Sequence, residues 1–230
     1  MEQVITNNVE TNEIFDEISG YYDKVNNLIS FGTHKYIKNS AVKLLEIKPD
    51  TKCLDLCTGS GDILGLILKN QPNCEVIGVD KSDEMLKIAS SKFRGKFIQA
   101  DCRNLPFNDN EFDYAAISFG LRNVVEYKKA ISEIYRVLKP NGLLLHLDFG
   151  YHNFLNKLFD LFLIFLIKTL KINSKSYKYL IKSKNIFPEP DKLIKEFEQY
   201  GFKLVNRKNY FLGAISAQII RKNIIANIIK

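Results

Sequence analysis

The sequence has no tryptophan, two methionines and four cysteines among 230 residues. The cysteines, Cys53, Cys57, Cys74 and Cys102, lie on or beside apolar segments of the first half. Their spacing fits neither a zinc pattern nor a secreted disulfide framework. They are expected as small core residues in a reducing compartment, with no metal site. An apolar signal region is missing from the opening stretch MEQVITNNVETNE, so no export is expected and a cytoplasmic location follows. No hydrophobic run is long enough to span a bilayer: the longest uncharged part of the most apolar stretch, Leu161 to Ile167, falls far below the ~18 residues needed. Dense runs of like charge are absent too. The 33 basic residues exceed the 26 acidic ones for a net charge of +7, but they are dispersed, which reads as a Lys-rich surface rather than a nucleic-acid tract. Neither a repeat nor a second domain is visible, and the length suffices for one large core.

What is present is an alternation. Helical spacing runs from Ile14 to Leu45, broken by SFGTH (Ser30 to His34). Then short buried strands alternate with helices. KCLDLCTG precedes the helix GDILGLILKN, and CEVIGVD precedes SDEMLKIASSKF, which Ser82 caps with Asp83 and Glu84 in its first turn. KFIQAD, FDYAAISF and LLLHLDF supply further strands, with EYKKAISEIYRVLK as the helix before the last and PNG (Pro140 to Gly142) as the turn between them. This is an α/β pattern, a mostly parallel sheet with helices on both faces. Two apolar segments around Gly213, KLVNRKNYF and AISAQIIRK, form a closing hairpin or antiparallel pair. Asn153 to Ile172 is strongly apolar and reads as a buried helix, a lid over an apolar substrate or an interfacial helix. The chain is one domain over 1–230, with a helical cap over 1–45 and a helical insertion or lid over 150–190.

LDLCTGSGD (Leu54 to Asp62) is the most informative stretch. A buried strand delivers Asp55, and Gly59 and Gly61 allow close backbone approach where the next helix begins. About twenty residues on, Asp80 ends the second strand, where a carboxylate accepts ribose hydroxyls. A dinucleotide and S-adenosylmethionine are the two ligands to weigh. The third glycine of a dinucleotide fingerprint is displaced, since Leu64 holds its position and Gly65 comes one later. Asp62 would repel a pyrophosphate but not an ammonium group. Asp101 can accept from an adenine amino group with the Cys102 backbone beside the ring, so the methyl donor is favoured. Two plainer roles stay open: Asp55 as a pin for the glycine loop and Asp62 as a helix cap. ISFGLRNV (Ile117 to Val124) then ends a buried strand with Arg122 and Asn123, where ligands sit in such sheets. A surface salt bridge or helix-end contact is the competing role for Arg122.

At these residues the chain resembles the class I S-adenosylmethionine-dependent methyltransferases, and more closely the C-methyltransferases of menaquinone and ubiquinone biosynthesis. The resemblance runs from about Phe15 to about Lys222 and rests on YDKVNNLISFGTHKYIK (Tyr22 to Lys38), LDLCTGSGD, VDKSDEML, LPFNDNEFD, ISFGLRNV, YRVLKPNG and SYKYL (Ser176 to Leu180). The departures are Val25 in place of Met, Ile37 in place of Trp, Asn141 in a double-glycine position, LDFGYHN in place of a Glu-Phe-Ser type of sequence, and no His near the end. The resemblance implies a Rossmann-like methyltransferase sheet and C-methylation of a prenylated quinol, either a demethylmenaquinol or a methoxylated polyprenyl benzoquinol. It also allows peripheral membrane association at the inner face and a homodimer, with no nucleic acid as partner.

Carried over by position, donor contacts fall at Ser60, Asp80, Asp101, Cys102 and Ser118. With Asp55, Gly59, Gly61 and Lys81 these form the expected donor site. Arg122, Asn123 and Tyr22 are the expected catalytic residues. Methyl transfer from a sulfonium is an in-line displacement without a metal, in which positioning contributes ~7–11 kcal/mol. The acceptor ring needs a proton acceptor and a stabiliser of phenolate charge. Arg122 can be the stabiliser but not readily a base, and His34 is either a base or a backbone-bonded structural residue. A nucleic-acid methyltransferase is disfavoured because ISFG stands where base amino-methylases carry Asn/Asp-Pro-Pro-Tyr. A non-catalytic scaffold is disfavoured by the intact glycine loop and acids.

Overall fold

The computed structural model describes residues 30, 32–170 and 174–223. Tyr22 and the helices expected before Ser30 lie outside the described residues. In chain order the elements are α1 (Thr33–Lys43), β1 (Lys52–Leu56), α2 (Asp62–Asn70), β2 (Glu75–Asp80), α3 (Asp83–Lys92), β3 (Lys96–Gln99), β4 (Phe112–Ser118), a short turn of 3-10 helix (Leu121–Asn123), α4 (Tyr127–Val137), β5 (Leu138–Phe149), α5 (Phe154–Leu170), α6 (Ser174–Ile186), α7 (Pro190–Gln199), β6 (Phe202–Tyr210), a second 3-10 turn (Phe211–Gly213) and β7 (Ile215–Lys222).

The strands form one seven-stranded sheet in the order β3-β2-β1-β4-β5-β7-β6. The first five run parallel, and β7 runs antiparallel to both β5 and β6, as the two segments around Gly213 predict. Apolar strand residues face two ways because both faces are covered. Leu54, Leu56, Ile117 and Leu144 pack with α4 and α7 on one face. Cys53, Ala116, Leu145 and Leu147 pack with α1 and α2 on the other. The cysteines are all free thiols, with Cys53, Cys74 and Cys102 buried, as expected of core residues.

Local chemistry places the turns. Ser82 caps α3, its Oγ accepting from Met85 N at 3.2 Å. The PNG segment differs from a simple helix-to-strand turn. Leu138 already pairs with Phe112, and the next pairing is Leu143 with Tyr114, so Lys139 to Gly142 bulge out of the strand. Asn141 sits there at φ 64°, the left-handed geometry that asparagine tolerates.

Asp55 is the hinge of the glycine loop. It is 1% exposed. One oxygen, Oδ2, accepts from Thr58 Oγ1 at 2.5 Å and from Leu64 N at 3.0 Å, tying the loop to the first turn of α2. Gly61 follows at φ +86°, and a Cβ there would meet Phe93 at 2.9 Å, so both its backbone angle and its packing require glycine. Burial pushes the Asp55 carboxyl up to about 7, against the hydrogen bonds from Thr58 and Leu64. The unfolded chain releases this proton near pH ~4. The folded chain therefore holds more protons between about pH 4 and 7, and Asp55 makes stability fall as pH rises through that window. Thermal unfolding of the protein and of Asp55→Asn across this range is expected to show the difference shifting in favour of the variant as pH rises. A constant difference would show that Asp55 does not titrate there.

Candidate active site

The strand order reverses at β1 and β4, so the carboxyl ends of β1, β2, β4 and β5 open onto a common crevice. The two sides of it nearly touch. A Cβ on Gly120, just past β4, would lie 2.5 Å from Cys57 Cβ on the loop after β1, so any side chain at 120 would push the two loops apart.

The β1–β2 side carries the acids. Asp80 Oδ2 accepts from Gly59 N at 2.8 Å, and Oδ1 accepts from Ser82 N at 3.0 Å, which fixes the carboxylate at the end of β2. Gly59 has φ +54°, and among the described residues no atom lies within 4 Å of where a Cβ would stand, so the side of the loop away from Asp80 is open. Ser60 is buried beside it. Asp101 is gripped by a residue that sequence reasoning missed. Arg103 donates through Nε to Oδ1 at 3.0 Å and through Nη2 to Oδ2 at 2.6 Å, and Lys81 Nζ stands 3.6 Å away. The Arg103 hydrogen bonds chiefly hold the Asp101 carboxyl down at about 2. Cys102 is buried in the core, which leaves its backbone for any ligand contact.

Asp62 behaves differently from expectation. Gly61, not Asp62, is the cap of α2, and it makes no side-chain capping bond. Asp62 instead binds Lys38 of α1 at 2.7 Å. That lysine, in charge and hydrogen bond, keeps the carboxyl below its usual range against the effect of burial. The pair is locally neutral, so repulsion of a pyrophosphate by Asp62 carries little weight. His34 has a structural contact, its Nδ1 lying 2.7 Å from Ser30 Oγ.

The β4–β5 side holds a buried ion pair. Arg122 Nη1 donates to Asp148 Oδ1 at 2.6 Å and to the Phe119 carbonyl at 2.8 Å. Their side chains are 6% and 1% exposed, so the salt-bridge role for Arg122 is realised, but inside the protein rather than on its surface. The guanidinium lies over two rings, 5.6 Å from Phe119 and 5.1 Å from Phe149. Phe119 itself has φ 54°, unusual for a bulky residue, and this strain sits at the mouth of the crevice. Asn123 Nδ2 donates to the same Phe119 carbonyl at 3.2 Å, while its Oδ1 is buried with no partner among the described residues. Ser118 Oγ is buried at the end of β4 and has no partner among the described residues. Helix α6 packs against the Leu121–Asn123 turn. Lys184 of α6 reaches Asp160 of α5 at 2.6 Å and lies 5.6 Å from the Phe149 ring, closing the wall.

Asp148 is the functional candidate that the sequence reading passed over. It closes the apolar run LLLHLDF at the same sheet edge as Asp55 and Asp80, and that shared position was the available signal.

The β1–β2 side suits a sulfonium donor: an open glycine backbone for its amino-acid end, a fixed carboxylate for a ribose and the unpartnered Ser118 hydroxyl nearby. Among the described residues, no group of three or more His, Cys, Asp or Glu could hold a metal ion.

Comparison with known proteins agrees with this geometry. The family model of the ubiE/COQ5 methyltransferase family matches residues 3–222. The chain is 36% identical over 219 residues to a demethylmenaquinone methyltransferase of Staphylococcus carnosus, covering 90% of each chain. It is 36% identical over 223 residues to one of Lysinibacillus sphaericus, covering 92% of this chain and 95% of the relative. Among solved structures, an S-adenosylmethionine-dependent methyltransferase of Thermotoga maritima superposes with a TM-score of 0.68 at 22% identity, over 92% of this chain and 99% of its own. The cyclase SpnF superposes with a TM-score of 0.71 at 14% identity, over 96% and 98%, so the fold alone does not specify methyl transfer. The match over nearly the whole length does: the chain belongs to the ubiE/COQ5 methyltransferase family and is an S-adenosylmethionine-dependent methyltransferase.

Proposed function

We propose that the protein methylates a ring carbon of a prenylated quinol of the demethylmenaquinol type. The names of the two relatives support this acceptor over a benzoquinol. The observation on this chain that carries the reading is the buried Arg122–Asp148 pair, walled by Phe119 and Phe149 beside the donor side of the crevice. Aromatic faces take a planar ring, and a desolvated guanidinium stabilises phenolate charge more strongly than it would in water.

The donor supplies an activated methyl on a sulfonium. Asp80 holds its ribose, Asp101 and the Cys102 backbone hold its adenine, with Lys81 beside Asp101, and Gly59, Ser60, Gly61 and Ser118 line its amino-acid end. Asp55 acts from behind as the pin of the loop. Arg122 stabilises the negative charge that develops on the ring oxygen, and Asn123 Oδ1 accepts from a ring hydroxyl. Tyr22, the third residue expected to take part in catalysis, lies outside the described residues.

The described helices of the 150–190 segment, α5 and α6, are the lid, and the outer face of α5 meets lipid. No described helix is long and apolar enough to cross a membrane. Yet α5 exposes Phe154, Leu158, Leu161 and Phe165 on one side, 74%, 50%, 65% and 64% accessible. Leu212, 90% exposed, adjoins them, since Asn153 Nδ2 donates to the Leu212 carbonyl at 2.9 Å. Such a patch next to an acceptor with a prenyl tail fits a peripheral membrane contact, aided by the dispersed lysines.

The purified protein, given labelled donor and either a reduced short-tailed demethylmenaquinone or RNA, is expected to place label in the lipid-soluble product only. Label in RNA, or in neither, contradicts the reading. Arg122→Ala is expected to lower kcat by about 100-fold or more with donor affinity within about threefold, whereas Asp80→Ala weakens donor binding first; equal effects of the two in calorimetry and steady-state kinetics would separate neither role. Introducing a charge by Leu161→Glu with Phe165→Glu is expected to abolish co-sedimentation with anionic vesicles while a detergent-dispersed quinol is still methylated. If instead the unmodified protein ignores vesicles and the variant turns a dimer into a monomer, the face joins two copies of the chain.

A further inference from the structure

Asp148 uses only one of its oxygens. Oδ1 accepts from Arg122 Nη1 at 2.6 Å and from its neighbour's amide, Phe149 N, at 2.8 Å. Oδ2 is buried and has no partner among the described residues. It has company. Ser216 stands directly across the β5–β7 ladder from Asp148, so the two side chains share a face, and Ser216 Oγ is also buried and unpartnered. So are Arg122 Nε and Asn123 Oδ1 from the turn after β4. An unpartnered buried polar atom is costly, so a group of them around one ion pair marks a place where a polar ligand atom completes the hydrogen bonding.

Among these groups the choice of base is narrow. A guanidinium, an amide and a serine hydroxyl are none of them bases near neutral pH, which removes Arg122, Asn123 and Ser216. His146 is the rival. The Gln218 amide is oriented by its own bond, Nε2 to the Pro190 carbonyl at 3.1 Å, and so presents Oε1 to His146 Nδ1 at 3.2 Å. Nδ1 therefore carries the proton and Nε2 the lone pair. But the imidazole lies between Phe187 and Phe197, with ring centroids 6.3 and 6.0 Å away, two residues further down the strand from the crevice. Asp148 sits at the strand end, against the guanidinium assigned to the ring oxygen.

We propose that Asp148 is the proton acceptor of the reaction. Oδ2 takes the proton of the ring hydroxyl adjacent to the carbon that is methylated, and Arg122 holds both the carboxylate and the oxyanion it creates. The ring carbon gains its bond to the methyl group as the bond from methyl to sulfur breaks, with that electron pair left on sulfur. The proton on that ring carbon then leaves to water and aromaticity returns as a ring oxyanion, which takes back the proton held by Asp148, so one proton is released overall. The proposal rests on the quinol reading above and adds the residue that makes the ring nucleophilic.

The test compares the full-length protein with Asp148→Asn, using S-adenosylmethionine and a series of quinols and naphthols whose hydroxyls become steadily more acidic. With an ordinary demethylmenaquinol, kcat is expected to fall by about 100- to 10,000-fold. Equilibrium binding of donor and of quinol is expected to stay within about threefold. The ratio of unmodified to variant rates should shrink at least tenfold as the acceptor becomes ionised in solution, because an ionised acceptor needs no base. If Asp148 only positions Arg122, that ratio stays constant along the series and the proposal is overturned. Should the Asn variant fail to fold, Asp148→Glu, which keeps a charge opposite Arg122, is the second probe. It is expected to be slow with ordinary quinols and close to normal with ionised ones, and uniform slowing again overturns the proposal. Methyl transfer by the unmodified protein that survives Asp148→Asn defeats this proposal alone. Absence of transfer to any quinol by the unmodified protein defeats the functional reading and this proposal with it.

Discussion

The reversal of strand order at β1 and β4 is the constraint from which the site follows. β1 pairs in parallel with β2 on one side and β4 on the other. The chain leaving β1 passes through the glycine loop to α2, which packs on one face of the sheet, while the chain leaving β4 passes through the Leu121–Asn123 turn to α4 on the other face. The two loops approach closely at Cys57 and Gly120 and diverge beyond that contact, leaving a crevice between them. Everything chemical is attached to its rims, the acids of β1 and β2 on one side and the Arg122–Asp148 pair on the other.

The two rims are electrostatically unlike. On the rim formed by β1, β2 and β3 each acid is held by hydrogen bonds to a neighbour: Asp55 by Thr58 and the start of α2, Asp80 by Gly59 and Ser82, Asp101 by Arg103. Those contacts fix the loop geometry that a donor would meet. On the β4–β5 rim the charges are removed from water, and a buried ion pair is weak support for stability, since an apolar pair of similar volume often does as well. An Arg and an Asp kept against Phe119 and Phe149, with polar atoms beside them left open, fit a role in chemistry better than one in folding.

Much of this was legible because it is local. The apolar runs, the Ser82 cap, the left-handed tolerance of Asn141 and the spacing from the glycine loop to Asp80 are all set within a few residues or within one strand-helix-strand unit. What escaped depends on register between distant segments. Arg122 meets Asp148 because Ser118 pairs with Leu147 across β4 and β5, and no periodicity in either segment announces that pairing. The grip of Arg103 on Asp101 and of Lys38 on Asp62 likewise needs side-chain placement, and the second of these removes an electrostatic argument that looked sound in one dimension. The PNG bulge depends on the same kind of contact: whether Leu138 belongs to helix or sheet is settled by Phe112 on another strand.

The central claim is that donor and quinol meet across this crevice with the reacting ring against Arg122 and Asp148. A crystal structure with S-adenosylhomocysteine and a short-tailed demethylmenaquinol tests it most directly. The account predicts the ribose on Asp80 and a ring oxygen within about 3 Å of both Asp148 Oδ2 and the Arg122 guanidinium. A ring bound elsewhere, with Asp148 Oδ2 still lacking any contact to it, would contradict the account.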